Sequence, residues 1–187
     1  MRDDVTNILI EFGNGSKKAY NELFKVVYEQ LREIANQQIR YERDGHTYSR
    51  TDLVHEVFLR MIDKNRINWK NRAHFFGVAS ICMKQLLIDY ARKKLSQKRG
   101  GNFIKQTYID ELIPDEKGAK KIIDLDDALK KLKELDSRMA EVVDYRFFGG
   151  LTIIETAEVM EISKNTVKRD WAKARGLLYK ELKGNEL

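Results

Sequence analysis

Apolar residues return at helical rather than alternating spacing along most of this chain. A short helix is predicted around 5–12, stopped by Gly13-Asn14-Gly15. Ser16 can cap the next helix, whose inner face reads Ala19, Leu23, Phe24, Val27, Leu31, Ile34 and Ala35. Asp44-Gly45 breaks that pattern, and a third helix is expected from Ser49, with Asp52 three residues on in a capping-box arrangement. Its inner face is Leu53, Val54, Val57, Phe58, Met61 and Ile62. Beyond the polar stretch from Asn65 to Asn71, a fourth helix carries Phe75, Phe76, Ala79, Cys82, Met83, Leu86 and Tyr90. It ends in Arg92-Lys93-Lys94 and then Lys98-Arg99-Gly100-Gly101.

Periodicity fades between Gly101 and Ile123, where Pro114, Gly118 and the acids Asp110, Glu111, Asp115 and Glu116 gather. Helical spacing resumes at Leu125, Leu129, Leu132 and Leu135 and continues through Met139, Val142, Val143 and Phe147. The pattern therefore predicts an all-α protein of two small helical domains: a four-helix bundle over 1–100, a flexible linker over 101–123, and a second domain over 124–187.

The second domain holds the sharpest local signal. Gly149-Gly150 ends one helix, and Thr152 with Glu155 forms a capping box for a short one, with Ile154, Ala157 and Met160 facing inward. After a tight break at Glu161-Ile162, Ser163 caps a longer helix with Val167, Trp171, Ala174 and Leu178 as its buried stripe. This is helix-turn-helix spacing, in which small Ala157 permits close crossing and Ile162 plugs the turn. The position before the plug tends to need positive φ, so Glu161 there costs roughly 1 kcal/mol against glycine. Ser163, Lys164, Asn165, Thr166, Lys168, Arg169, Lys173 and Arg175 stand off the stripe, a mixture able to donate to phosphates and base edges in a major groove.

Composition agrees without deciding. The 187 residues carry 35 Lys and Arg against 29 Asp and Glu, a net charge of +6, which favours a polyanionic partner. Cys82 has no second cysteine to pair with, and His46, His55 and His74 are scattered without metal-ligand spacing, so neither a metal nor a cofactor is expected. The polar start, Met-Arg-Asp-Asp, does not read as a signal peptide, and no run nears the roughly 18 apolar residues of a membrane span. A cytoplasmic protein without membrane contact is the expectation.

Several motifs, in order, resemble those of the ECF-type (extracytoplasmic function) sigma factors of bacterial RNA polymerase, within the sigma-70 family. The stretch from Leu129 to Leu182, including Tyr145-Arg146-Phe147-Phe148-Gly149-Gly150-Leu151-Thr152 and Ile162-Ser163-Lys164-Asn165-Thr166-Val167-Lys168, is similar to that family's region 4. Thr51-Asp52-Leu53-Val54-His55-Glu56-Val57-Phe58-Leu59 looks like its region 2 docking motif, and Arg72 to Ala79 with Ile88 to Lys94 resembles the segment that follows. The resemblance implies that Asp52, Leu53, His55, Glu56, Leu59 and Arg60 bind core polymerase at the beta-prime clamp helices. It implies that Phe76, Lys84, Gln85, Arg92, Lys93, Lys94, Lys98 and Arg99 engage the promoter −10 element during melting. Phe75, Phe76 and Tyr90 would offer stacking surfaces to unpaired bases, Phe76 the most exposed of them. The helix from Ser163 would read the −35 element, and the beta flap and an anti-sigma factor are further implied partners. Many members carry Trp and Asn where this chain has Val78 and Gln85, so the docking motif transfers more directly than the −10 contacts.

Two other readings use the same residues. A helix-turn-helix regulator with a sensing or dimerising first domain accounts for the second domain but leaves the docking-like motif unused. A DNA-targeted nuclease or recombinase needs converging carboxylates or a nucleophile with its base. Asp126-Asp127 and Asp115-Glu116 are adjacent pairs; neighbouring side chains on a helix diverge, the second pair sits in the linker, and no phosphate-cradling glycine loop is present, so no enzyme activity is expected.

Overall fold

The computed structural model describes residues 2–13, 16–39, 47–63, 69–97, 113 and 115–184. Among these the chain forms α-helices and one π-helical turn, and no strand. Helix α1 (Arg2–Gly13) lays Val5 and Leu9 onto α2 (Lys17–Gln38), which buries Ala19, Leu23, Val27, Leu31, Ile34 and Ala35 along one stripe. Ser16 caps α2 as expected, its Oγ accepting from Ala19 N–H at 3.2 Å. Helix α3 (Thr47–Asp63) begins before Ser49, which therefore lies inside the helix and is not its cap.

Helix α4 (Arg72–Gln97) is the centre of the molecule. Asn71 caps it, Oδ1 accepting from His74 N–H at 2.9 Å. Phe75, Phe76, Ala79, Met83, Leu86 and Tyr90 pack into the first core, but Ala73, Ser80, Leu87, Ile88 and Ala91 are buried as well. A helix apolar around most of its circumference must be covered on more than one side, and the second half supplies the other cover. Helix α5 (Glu116–Leu135) packs along α4, with Ala119, Ile122 and Ile123 joining the first core beside buried Ile113, and Leu129 and Leu132 belonging to a second core.

The expected linker is thereby corrected over its last part. Asp115 caps α5, accepting from Gly118 N–H at 2.6 Å, so residues 116–123 are helical and packed rather than loose. Lys117, Lys120, Lys121 and Gly118 dilute the apolar spacing there below what periodicity detects. Residues 101–112, with Asp44-Gly45, Lys98 and Arg99, lie outside the described residues.

The helix expected to run on from Leu125 to Phe147 is broken at Asp136, an extended residue (φ −157°) whose side chain accepts from Met139 N–H at 3.0 Å and starts α6 (Ser137–Val143). Helix α6 runs directly into a π-helical turn, Asp144–Phe148, closed by Gly149 and by Gly150 at φ 63°. Helices α7 (Ile153–Met160) and α8 (Lys164–Gly184) complete the chain. The close approach between halves is at Gly77, where a Cβ would stand 2.5 Å from Tyr145 Cε1.

Candidate nucleic-acid and protein-binding surfaces

Three surfaces gather the candidate residues. The first is the outer face of α3. Asp52, His55, Glu56, Leu59 and Arg60 recur at three- and four-residue intervals and so form one stripe. Asp52, His55 and Arg60 are exposed, and Leu59 keeps 55% of its surface, an apolar residue in a polar field. Glu56 is held at both oxygens, one accepting from Arg60 at 2.8 Å and the other from the Tyr90 hydroxyl. The His55 ring stands edge-on to Phe24 at 5.0 Å, which fixes its outward direction. Leu53 does not belong to this surface: it is fully buried in the first core, because it sits one residue past Asp52, about 100° around the helix.

The second surface is α4 and its basic end. Phe76 is 1% exposed, packed edge-to-face on Phe75 at 5.3 Å beneath the Arg72 guanidinium, and Tyr90 is buried too. The expected stacking platform is therefore not on the surface: Phe76 falls on the same side of α4 as Ala79 and Met83, and that side is core. The cations fare differently from one another. Lys84 is only 15% exposed, paired with Asp144 and resting on the Phe148 ring 5.1 Å away. Arg92 reaches Asp126 at 2.7 Å, Lys94 donates to the Ile113 carbonyl, and Lys93 lies over the Tyr90 ring, exposed, as is Gln85.

The third surface is the α7–α8 hairpin. Thr152 and Glu155 close the capping box reciprocally, at 3.2 Å and 2.8 Å. Glu161 takes the left-handed conformation (φ 56°) that the turn demands, and Ile162 N–H donates to the Ala157 carbonyl at 3.0 Å. Ser163 caps α8 by accepting from Thr166 N–H at 3.0 Å. Ala157 and Val167 meet Val142 in the hairpin core with Ile153, Met160, Ile162 and Trp171 against them. Ile154, expected inside, is 50% exposed, and its neighbour Ile153 packs inward instead; helical spacing alone does not separate two adjacent isoleucines. Ser163, Lys164, Asn165, Lys168, Arg169 and Lys173 are exposed and Thr166 is half-buried.

Sequence reasoning missed Asp170. It occupies the buried stripe between Val167 and Ala174, 2% exposed, and accepts from Arg138 Nε at 2.7 Å, with Arg169 Nε at 3.5 Å. Burial pushes its carboxyl up, but the hydrogen bonds and charges of Arg138 and Arg169 outweigh that and leave it below the ordinary value of 3.8. The available signal was a carboxylate at a core position, which requires a partner.

These surfaces sit on a chain whose relatives are defined. The ECF sigma factor family matches residues 2–184, nearly the whole chain. The ECF RNA polymerase sigma factor SigW of Bacillus subtilis (strain 168) is 25% identical over 159 residues, covering 78% of this chain and 82% of that protein. With the all-helical architecture and the capped helix-turn-helix, this match makes the chain a member of the ECF sigma factor family, an RNA polymerase sigma factor that binds core polymerase and promoter DNA.

Proposed function

We propose that the work is divided along the chain as the motifs suggest, with residues 1–100 docking on polymerase and capturing the melted −10 strand, and residues 124–187 reading the −35 duplex. The observation that carries this reading is the pair of exposed stripes, polar on α3 and cationic on α8, each backed by core, with α8 also capped by Ser163. Asp52, His55, Glu56, Leu59 and Arg60 face the beta-prime clamp helices. Gln85, Arg92, Lys93 and Lys94, with Lys84 once uncovered and with Lys98 and Arg99, hold the separated strand through its phosphates. Ser163, Lys164, Asn165, Thr166, Lys168, Arg169 and Lys173 enter the major groove.

A groove of about 480 Å³ between α5 and the end of α8, lined by Leu132, Leu135, Leu177 and Leu178, is the apolar surface offered to the beta flap. An anti-sigma factor would compete for these same faces. The carboxylates that a nuclease would require have structural partners instead: Asp126 is held by Arg92 and Lys130, and Asp115 caps α5.

The deciding experiment is Glu56→Arg. Core polymerase binding, measured with purified components, is expected to weaken at least tenfold while circular dichroism keeps the parent's helical signal. Unchanged affinity for core polymerase removes α3 from the docking surface.

A further inference from the structure

Tyr90 carries a polar group to the edge of the first core. The residue is 2% exposed among the apolar side chains that α3 and α4 bury together, and a phenol so placed needs a partner for its hydroxyl. The partner is on the neighbouring helix: the hydroxyl donates to Glu56 Oε2, while Arg60, one turn along α3, donates to Oε1 at 2.8 Å. Arg60 keeps 49% of its side-chain surface, and an exposed pair at four-residue spacing is too weak to hold one geometry on a helix face. Tyr90 differs because its ring is packed and its hydroxyl arrives from the interior. Helix α2 braces the same stripe, with Phe24 edge-on to His55 at 5.0 Å and the Tyr28 and Thr51 hydroxyls 3.4 Å apart. Glu56 itself keeps 27% of its side chain exposed, so the carboxylate reaches solvent while its direction is set from beneath.

We propose that Tyr90 is a positioning residue for polymerase docking: its hydroxyl, delivered from α4 through the core, fixes the direction in which Glu56 presents its carboxylate to a cationic donor of the polymerase. This rests on the assignment of Glu56 to the docking surface. A glutamate side chain is rich in rotamers, and ordering it on association subtracts from affinity. A donor fixed in the core meets that cost when the chain folds, before the partner arrives. An ionised carboxylate accepts at about four sites, which lets a guanidinium or ammonium group of the partner be added to the donors already in place. The ring grouped by motif with base-stacking aromatics thus serves α3 instead.

Tyr90→Phe removes the hydroxyl and keeps the ring, and Glu56→Ala removes the acceptor. The two changes are made singly and together in the full-length chain. Equilibrium affinity for purified core polymerase is measured for each variant and the parent, with circular dichroism and thermal melting as controls on folding. Tyr90→Phe alone is expected to weaken binding about fivefold, the scale of one net hydrogen bond, with the parent's helical signal retained. In the Glu56→Ala background the same change is expected to weaken binding no further, since the group that Tyr90 positions is gone. Losses of equal size in both backgrounds overturn the proposal, because the hydroxyl would then act through the stability of the fold. Full affinity in Tyr90→Phe beside a weakened Glu56→Ala overturns it too, and leaves the docking surface standing. Full affinity in Glu56→Ala removes Glu56 from docking, and the positioning role falls with it.

Discussion

A carboxylate in the middle of a buried stripe is the most informative single residue of the second half. Asp170 has its charge fixed by Arg138 from α6 and Arg169 from its own helix, so it ties α8 to the helix beneath it. Its folded pKa is depressed, so the stability it contributes is fully present above the ordinary carboxylate value and is lost as pH falls through the lower folded value. Asp170→Asn should therefore lower the thermal midpoint at pH 7 by several degrees and flatten the acid limb of the parent's stability curve below about pH 4. Equal midpoints at pH 7 would show the pair to be dispensable. Residues of this kind were the least legible in the sequence. Leu53 and Phe76 were named for contact because they lie inside recognised motifs, whereas burial is decided by angular position around the helix, and both face the core. Asp170 was passed over because the partner that makes it tolerable, Arg138, is distant in sequence.

Among elements, those closed by side-chain caps were read most closely. Ser16, Thr152 with Glu155, and Ser163 each accept the hydrogen bond their position predicted. Two features escaped: the break at Asp136, where apolar spacing carries on undisturbed through a single extended residue, and the π-turn, whose one-residue excess leaves no mark in composition. The start of α5 escaped for the opposite reason, since lysines surround its apolar residues. Helix α8 yields its own prediction. Arg169 is 60% exposed and Lys168 is exposed beside it. Replacing either with Ala should weaken upstream promoter binding, and titration against single-base variants tells the two roles apart. A base contact loses roughly 1–3 kcal/mol at one position, and a phosphate contact weakens every sequence and makes the salt dependence shallower. Full promoter activity with the parent's salt dependence in both variants would remove α8 from the recognition role.

At the scale of the molecule, two helical halves share α5 and close on α4, an arrangement that hydrophobic spacing could not foresee because each half reads as complete without the other. Neutralising Arg92, Lys93 and Lys94 together is expected to leave closed-complex binding largely intact while impairing strand opening. Permanganate reactivity of unpaired thymines should fall on duplex promoters and recover in part on templates already mismatched over the −10 segment. Opening as efficient as the parent's would place strand capture elsewhere. The π-turn carries a further consequence for the whole. Each residue of an α-helix advances the chain by about 100° around its axis, and the turn at Asp144–Phe148 absorbs one residue more than a regular turn holds. Helix α7, next in the chain, takes its bearing from that excess, whereas α8 is also fixed directly on α5 and α6. The bearing of α7 is thus written in the length of a five-residue segment and not in the exposed side chains of the hairpin. Length variation there would shift Asp144, Tyr145 and Phe148 off Lys84, Gly77 and Gln38 while leaving the exposed side chains of α8 chemically unaltered.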